Sequence, residues 1–160
     1  LSSSSAASDV YKRQVLACNE GAVMTVGFGH RYPSVEVWST SRVDQPWRVD
    51  DEGIDAVSDL LHAAHVAVSD DVPANEEWHY RPMGTGVTVP WRIILKLRIS
   101  TLAGFEGGTK IYVNTISPAA LAAMLLPKLF QARAAGRIAP MDLGDECEIP
   151  RGALAATWVR

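Results

Sequence analysis

Hydrophobic residues alternate with polar ones in several short stretches of the chain and recur every third or fourth position in two longer ones. Ala22–Phe28 (AVMTVGF) is a short apolar run with β-branched residues, which predicts a strand. His30-Arg31-Tyr32-Pro33 breaks it, and Ser34–Ser39 then sets Val35 and Val37 on one side against Glu36 and Trp38 on the other, a second strand antiparallel to the first. Glu76–Tyr80 and Ile111–Ile116 predict further strands. The strongest is Trp91–Ile99: Trp91, Ile93, Leu95, Leu97 and Ile99 share one face, and Arg92, Lys96 and Arg98 share the other with Ile94. One face of that strand is core, and the opposite, basic face could meet an anion.

Two helices interrupt the strands. Asp50-Asp51-Glu52 places negative charge at a helix start, and Ile54, Val57, Leu60, Leu61, Ala64 and Val68 follow at helical spacing up to a stop at Asp70-Asp71-Val72-Pro73. Ser117-Pro118 opens the second with an N-cap and an N1 proline. Its apolar residues are Leu121, Met124, Leu125, Leu129 and Phe130, Gly136 stops it, and Pro127 should kink it. Met83–Thr88 and Ser100–Gly108 read as loops. The order strand, strand, helix, then three strands and a helix predicts an α+β domain, a mostly antiparallel sheet with two main helices. Residues 1–14 (LSSSSAASDVYKRQ) have no apolar period and resemble the translation of a sequencing adapter. The domain is therefore expected over 15–160, with the natural protein continuing upstream of Val15.

The chain has 160 residues and a formal net charge of −3, which suits one domain and gives no general attraction to nucleic acid. No apolar run is long enough to span a membrane. Cys18 and Cys147 form neither a CxxC nor a zinc-finger spacing, so they are expected to be reduced thiols of a cytoplasmic protein.

Four histidines are the candidate acid–base groups. His62 and His65 stand at i and i+3 on the first helix, a possible metal pair with no third ligand firmly placed. His30 and His79 could each serve as a general base or be structural. Nucleophile, phosphate-loop and zinc-protease motifs are lacking, so no catalytic residue is assigned. Ala103–Asn114 (AGFEGGTKIYVN) joins a Gly-rich turn to a carboxylate and a lysine. Glu106 can accept hydrogen bonds from sugar hydroxyls and Lys110 can meet a phosphate. The same residues would also suit an ordinary turn with surface charges.

Trp91–Pro118 resembles the closing segment of galactose-1-phosphate uridylyltransferases and related hexose-1-phosphate nucleotidyltransferases, whose pattern is close to HWHIEIxPRLTxxAGFExGTGxxINxxxPE. Trp91, Arg98, Ala103-Gly104-Phe105-Glu106, Gly108-Thr109, Val113-Asn114 and Pro118 match it without gaps. Arg31–Trp38 is similar to the family's RFPFEVW strand, and His79 with Pro82 to its H-x-x-P. The resemblance implies a HIT-like fold and the C-terminal half of a two-half protein. Its histidine nucleophile would lie in an H-P-H motif that this chain lacks, so the N-terminal HIT-like half is expected to be missing and this half inactive alone. It implies Phe105, Glu106 and Lys110 as contacts to a nucleotide sugar or hexose-1-phosphate, with Arg92 on the basic face, and a homodimer in which such residues cross the interface. The family's metal ligands would fall on Glu20, His79, Pro90 and Arg92. Proline and arginine cannot replace imidazoles, so Glu20 and His79 are remnants, no metal or cofactor is expected, and Arg92 should pair with Glu20 or Glu77. The alternative is a non-catalytic sugar-phosphate-binding or assembly domain. A free-standing HIT-type hydrolase is disfavoured by the lack of a histidine triad.

Overall fold

The structure, a computed structural model, describes residues 14–69, 71–86, 88–99 and 104–148. Most of the expected N-terminal tail, the helix-ending Asp70 and the loop residues Ser100–Ala103 lie outside them. Among the described residues there are six strands: β1 Val15–Cys18, β2 Ala22–Val26, β3 Ser34–Ser39, β4 Ala74–His79, β5 Arg92–Leu97 and β6 Asp142–Leu143. They form one sheet in the order β4-β5-β3-β2-β1-β6, every pair antiparallel. The helices are α1 Asp51–Val68, a short α2 Gly104–Thr109, and α3 Pro118–Ala134. The α+β fold expected from the sequence is the fold observed.

Alternation on the strands decides what is buried. Met24, Val26, Val35, Val37, Ile93, Leu95 and Leu97 point to one side and meet Val57, Leu60 and Ala64 of α1 and Leu121, Leu125 and Leu129 of α3. Full burial of such a side chain contributes about 1.5–3 kcal/mol, so this single layer is the main source of stability. Asp50 caps α1 by accepting the Gly53 N–H, and Ser117 caps α3 by accepting the Ala120 N–H. Met124 and Phe130, two of the helix's apolar residues, are 52% and 40% exposed. The buried stripe of α3 runs through Leu121, Leu125, Leu129 and Ala132, and those two residues fall off it.

Two local expectations are corrected. Gly104–Thr109 is a short helix where a loop was expected, although it buries none of its residues. It ends with the Lys110 N–H donating to Glu106 O (3.0 Å) and the Thr109 hydroxyl donating to Phe105 O (2.7 Å). Ile111–Ile116 is not a strand: among the described residues no ladder partner lies beside it, and Ile111, Tyr112 and Val113 are left exposed. Its β-branched composition suits a strand, but composition alone supplies no neighbour.

The β1–β2 hairpin is locked onto α1 by one side chain. Asn19 Oδ1 accepts the N–H groups of Gly21 (3.1 Å) and Ala22 (2.8 Å), and its Nδ2 donates to Ala56 O on α1 (2.8 Å). Gly21 is required there, because a Cβ would come within 2.6 Å of the Ala56 Cβ. Asn19→Ala removes all three bonds and is expected to cost about 2 kcal/mol in chemical denaturation; a loss below ~0.5 kcal/mol would show that the hairpin is held by packing alone.

A second lock ties α3 to β6. Arg133 donates to both carboxylate oxygens of Glu146 (2.5 and 2.9 Å) and to Met141 O (2.8 Å), while Glu146 also accepts the Leu143 N–H (3.0 Å). The Arg133 hydrogen bond, then the Leu143 N–H, hold the Glu146 carboxyl down from 4.5 to about 2. A carboxyl lowered on folding contributes stability above its unfolded value and loses it as pH falls toward the folded one. The protection of the Leu143 amide, relative to its intrinsic exchange rate at each pH, should therefore fall between pH 4.5 and 2, and Arg133→Met should remove most of that dependence.

Candidate functional site

The sheet face turned away from the helices carries the charged residues. By alternation it presents Glu36 and Trp38 from β3, Arg92, Ile94 and Lys96 from β5, and Glu77 and His79 from β4. The basic strip is not an open anion site. Lys96 Nζ lies 2.5 Å from Glu77 Oε1, and Glu77 also receives His79 Nε2 at 3.4 Å. The Lys96 hydrogen bond, with a smaller one from His79, holds the Glu77 carboxyl below the usual range against a desolvation that would raise it. Arg92 lies over the Trp38 ring, 4.3 Å from its centroid, with Nη1 3.8 Å from Glu36 Oε2. Arg92 thus pairs with Glu36 on β3, not with Glu20 or Glu77; Glu77, which flanks β5 from the other side, is taken by Lys96 and His79.

Glu36 is the hinge of this cluster. It is 7% exposed, and its other oxygen meets His30 Nε2 in a short hydrogen bond. His30 comes from the β2–β3 turn and fits because residue 27 is glycine: a Cβ there would lie 2.6 Å from the His30 ring. Sequence reasoning flagged His30 as a candidate base but gave no partner. The six-residue spacing to Glu36 becomes a contact only once the turn folds back over β3.

Of the four positions that the resemblance marks as metal ligands, two meet. His79 and Arg92 stand opposite one another across β4 and β5. Glu20 is exposed at the tip of the β1–β2 hairpin, with β2, β3 and β5 between it and β4. At ~4.8 Å per strand that is on the order of 15 Å, far beyond the ~2 Å bonds of one metal centre. Among the described residues no group of three or more His, Cys, Asp or Glu side chains could hold a metal ion. The residues present do not fit the family's metal. His62 and His65 do not form a pair site either: both are exposed, and His65 Nε2 is bonded to Glu76 Oε1 at 2.8 Å.

Phe105, Glu106 and Lys110 are brought together on α2 and its C-cap. Phe105 is 58% exposed, Glu106 is half-buried, and Lys110 is exposed with φ at +60°. That left-handed conformation favours glycine, and glycine is what the pattern AGFExGTG has at this position. Farther along, Arg31 holds the segment to the sheet by stacking 3.8 Å from the Tyr112 ring centroid. Ala103, the first residue of the motif, lies outside the described residues.

Residues 4–156 match the model of a family described as a domain of unknown function, DUF4921. The chain belongs to this family. Its sheet-and-helix arrangement is shared with solved structures at low identity. An ADP-glucose phosphorylase from Arabidopsis thaliana with bound ADP-glucose superposes with a TM-score of 0.65 at 20% identity, over 74% of this chain and 41% of that one. A uridylyltransferase mutant gives 0.63 at 17% identity, over 75% and 44%. A GalT-like protein from Arabidopsis thaliana gives 0.61 at 20%, over 71% and 41%. The chain therefore spans less than half the length of these structures. The comparison with curated proteins finds no match. The fold that the resemblance implied is the fold these structures have. Among the described residues, no helix is long and apolar enough to cross a membrane.

If Glu36 links Arg92 to the sheet face, the two residues are energetically coupled. A double-mutant cycle with Arg92→Met and Glu36→Gln should return a coupling of about 0.5–3 kcal/mol in chemical denaturation. Strict additivity would mean that Arg92 is held by Trp38 alone.

Proposed function

We propose that this chain is the substrate-contacting, C-terminal HIT-like half of a hexose-1-phosphate nucleotidyltransferase. A separate HIT-like half would supply the H-P-H histidine that becomes nucleotidylated, dividing one displacement into two. The observation that carries this reading is the backbone of Lys110. A non-glycine residue at φ +60° is less stable there than glycine by about 1 kcal/mol, and such strain recurs where a side chain serves a ligand. The conformation places an exposed ammonium at the end of the short helix that carries Phe105 and Glu106. On this reading Lys110 meets the sugar phosphate, Glu106 accepts from hexose hydroxyls, and Phe105 packs beside the ring. The likeness in fold to a phosphorylase holding ADP-glucose supports the substrate class.

Exposed Phe105, Ile111, Tyr112 and Val113 add an apolar surface that a second copy or the missing half would cover. A cytoplasmic homodimer without a bound metal fits both the thiols and the degenerate ligand positions. The second reading is a non-catalytic binding or assembly domain, and it is favoured by the self-paired charges of the open sheet face, which leave Arg92 matched by Glu36.

Calorimetry with galactose-1-phosphate and glucose-1-phosphate, comparing the chain with its Lys110→Gly variant, tests the proposal. Glycine should raise stability by up to ~1 kcal/mol and weaken hexose-1-phosphate binding about tenfold, the loss of one charge-assisted contact. Binding unaffected by the substitution would remove Lys110 from the site. No binding by either protein would leave the assembly reading.

A further inference from the structure

The two cysteines lie 129 positions apart in sequence, yet the fold brings them together. Cys18 is the last residue of β1, and its register partner on β6 is Asp142. Two residues beyond Asp142 the chain turns back through a single 3-10 turn, Gly144–Glu146, closed by the Cys147 N–H donating to Gly144 O (3.1 Å). That turn returns the Cys147 sulfur to β6, where it donates to Asp142 O (3.3 Å) and packs against the cluster that holds Cys18. The two cysteines pack with Val15 and Val23 in this small cluster on the open side of the sheet, separate from the main core. Cys18 is buried and Cys147 half-buried, so one sulfur is reachable from solvent and the other lies behind it. Burial pushes both thiols above their usual range, so exchange starts from the small thiolate fraction of the more exposed sulfur, Cys147, with Cys18 placed to resolve it. The Arg133–Glu146 pair adjoins it and fixes the turn that carries Cys147.

We propose that Cys18 and Cys147 are a redox modification site, a dithiol that closes to an intramolecular disulfide under a small-molecule disulfide such as oxidised glutathione. Cys147 gives up its proton to water, and its sulfur attacks one sulfur of the glutathione disulfide. The S–S bond of glutathione breaks, and one glutathione leaves as a thiolate that takes up a proton. Cys18 then attacks the Cys147 sulfur of the mixed disulfide in the same way and expels the second glutathione. The protein loses two electrons and two protons, and one glutathione disulfide becomes two thiols. The product staples β1 to the turn that follows the two-residue edge strand β6. Because it closes a loop of most of the chain, it restricts the unfolded state far more than a local bridge would.

The test is oxidation of the folded chain with oxidised glutathione over hours, followed by intact-mass and peptide mass spectrometry. Expected are simultaneous loss of both thiols, a mass lower by two hydrogens, and a linked peptide pair containing Cys18 and Cys147. The midpoint of thermal unfolding should rise by several degrees and fall back with dithiothreitol. Cys18→Ser should halt at a stable glutathione adduct on Cys147. In Cys147→Ser the buried Cys18 should stay unmodified, which keeps the test readable if the first variant folds poorly. A wild-type protein that accumulates the Cys147 adduct without closing, forms dimers through Cys147, or keeps both thiols overturns the proposal.

Discussion

Strand β5 has to satisfy two opposed chemistries within six residues. Ile93, Leu95 and Leu97 must enter the helix-covered core, while Arg92, Ile94 and Lys96 must lie on the side where carboxylates from β3 and β4 can meet them. A slip of one residue against either neighbour would put both cations into the apolar layer and leave Glu36 and Glu77 without partners. Register is thus specified from both faces at once, by burial on one and by charge pairing on the other. The same register sets His79 opposite Arg92 and Trp78 opposite Ile93. It also places the buried Trp91, on which Trp78 stacks with ring centroids 5.9 Å apart, at the entry to the strand.

Much of this was legible because it is periodic. A short apolar run gave β2, alternation gave β3 and β5, and spacing and caps gave α1 and α3. What periodicity could not reach falls into two kinds. Very short elements, such as β6 with two residues, exist only because β1 offers Ala17 and Cys18 as partners. Conversely Ile111–Ile116 has strand composition but no partner. The candidate residues divide in the same way. Phe105, Glu106 and Lys110 are neighbours in sequence and remain so in space. The His30–Glu36–Arg92 cluster and the Cys18–Cys147 pair are assembled by the fold, and no local pattern announces them. Arg92 was expected beside Glu20 or Glu77 and lies beside Glu36: strand order removes Glu20, and Lys96 and His79 already hold Glu77.

The chain's charges are arranged to be spent internally. His30 and Arg92 share Glu36, Lys96 and His79 share Glu77, and His65 takes Glu76. A surface matched in this way presents little net field, so whatever occupies it must be recognised by shape and by contact rather than by long-range attraction.

The outermost strand has a consequence for the life of the chain before any partner arrives. β4 lies at the end of the sheet order with one side unpaired by the other described strands, and such an edge is a template for stacking chain upon chain. Here adjacent Glu76 and Glu77 point to opposite sides of that edge, so an identical strand approaching in register meets like charge on either face. Carboxylates on both sides of that edge thus disfavour stacking of this strand on copies of itself, a constraint independent of any substrate.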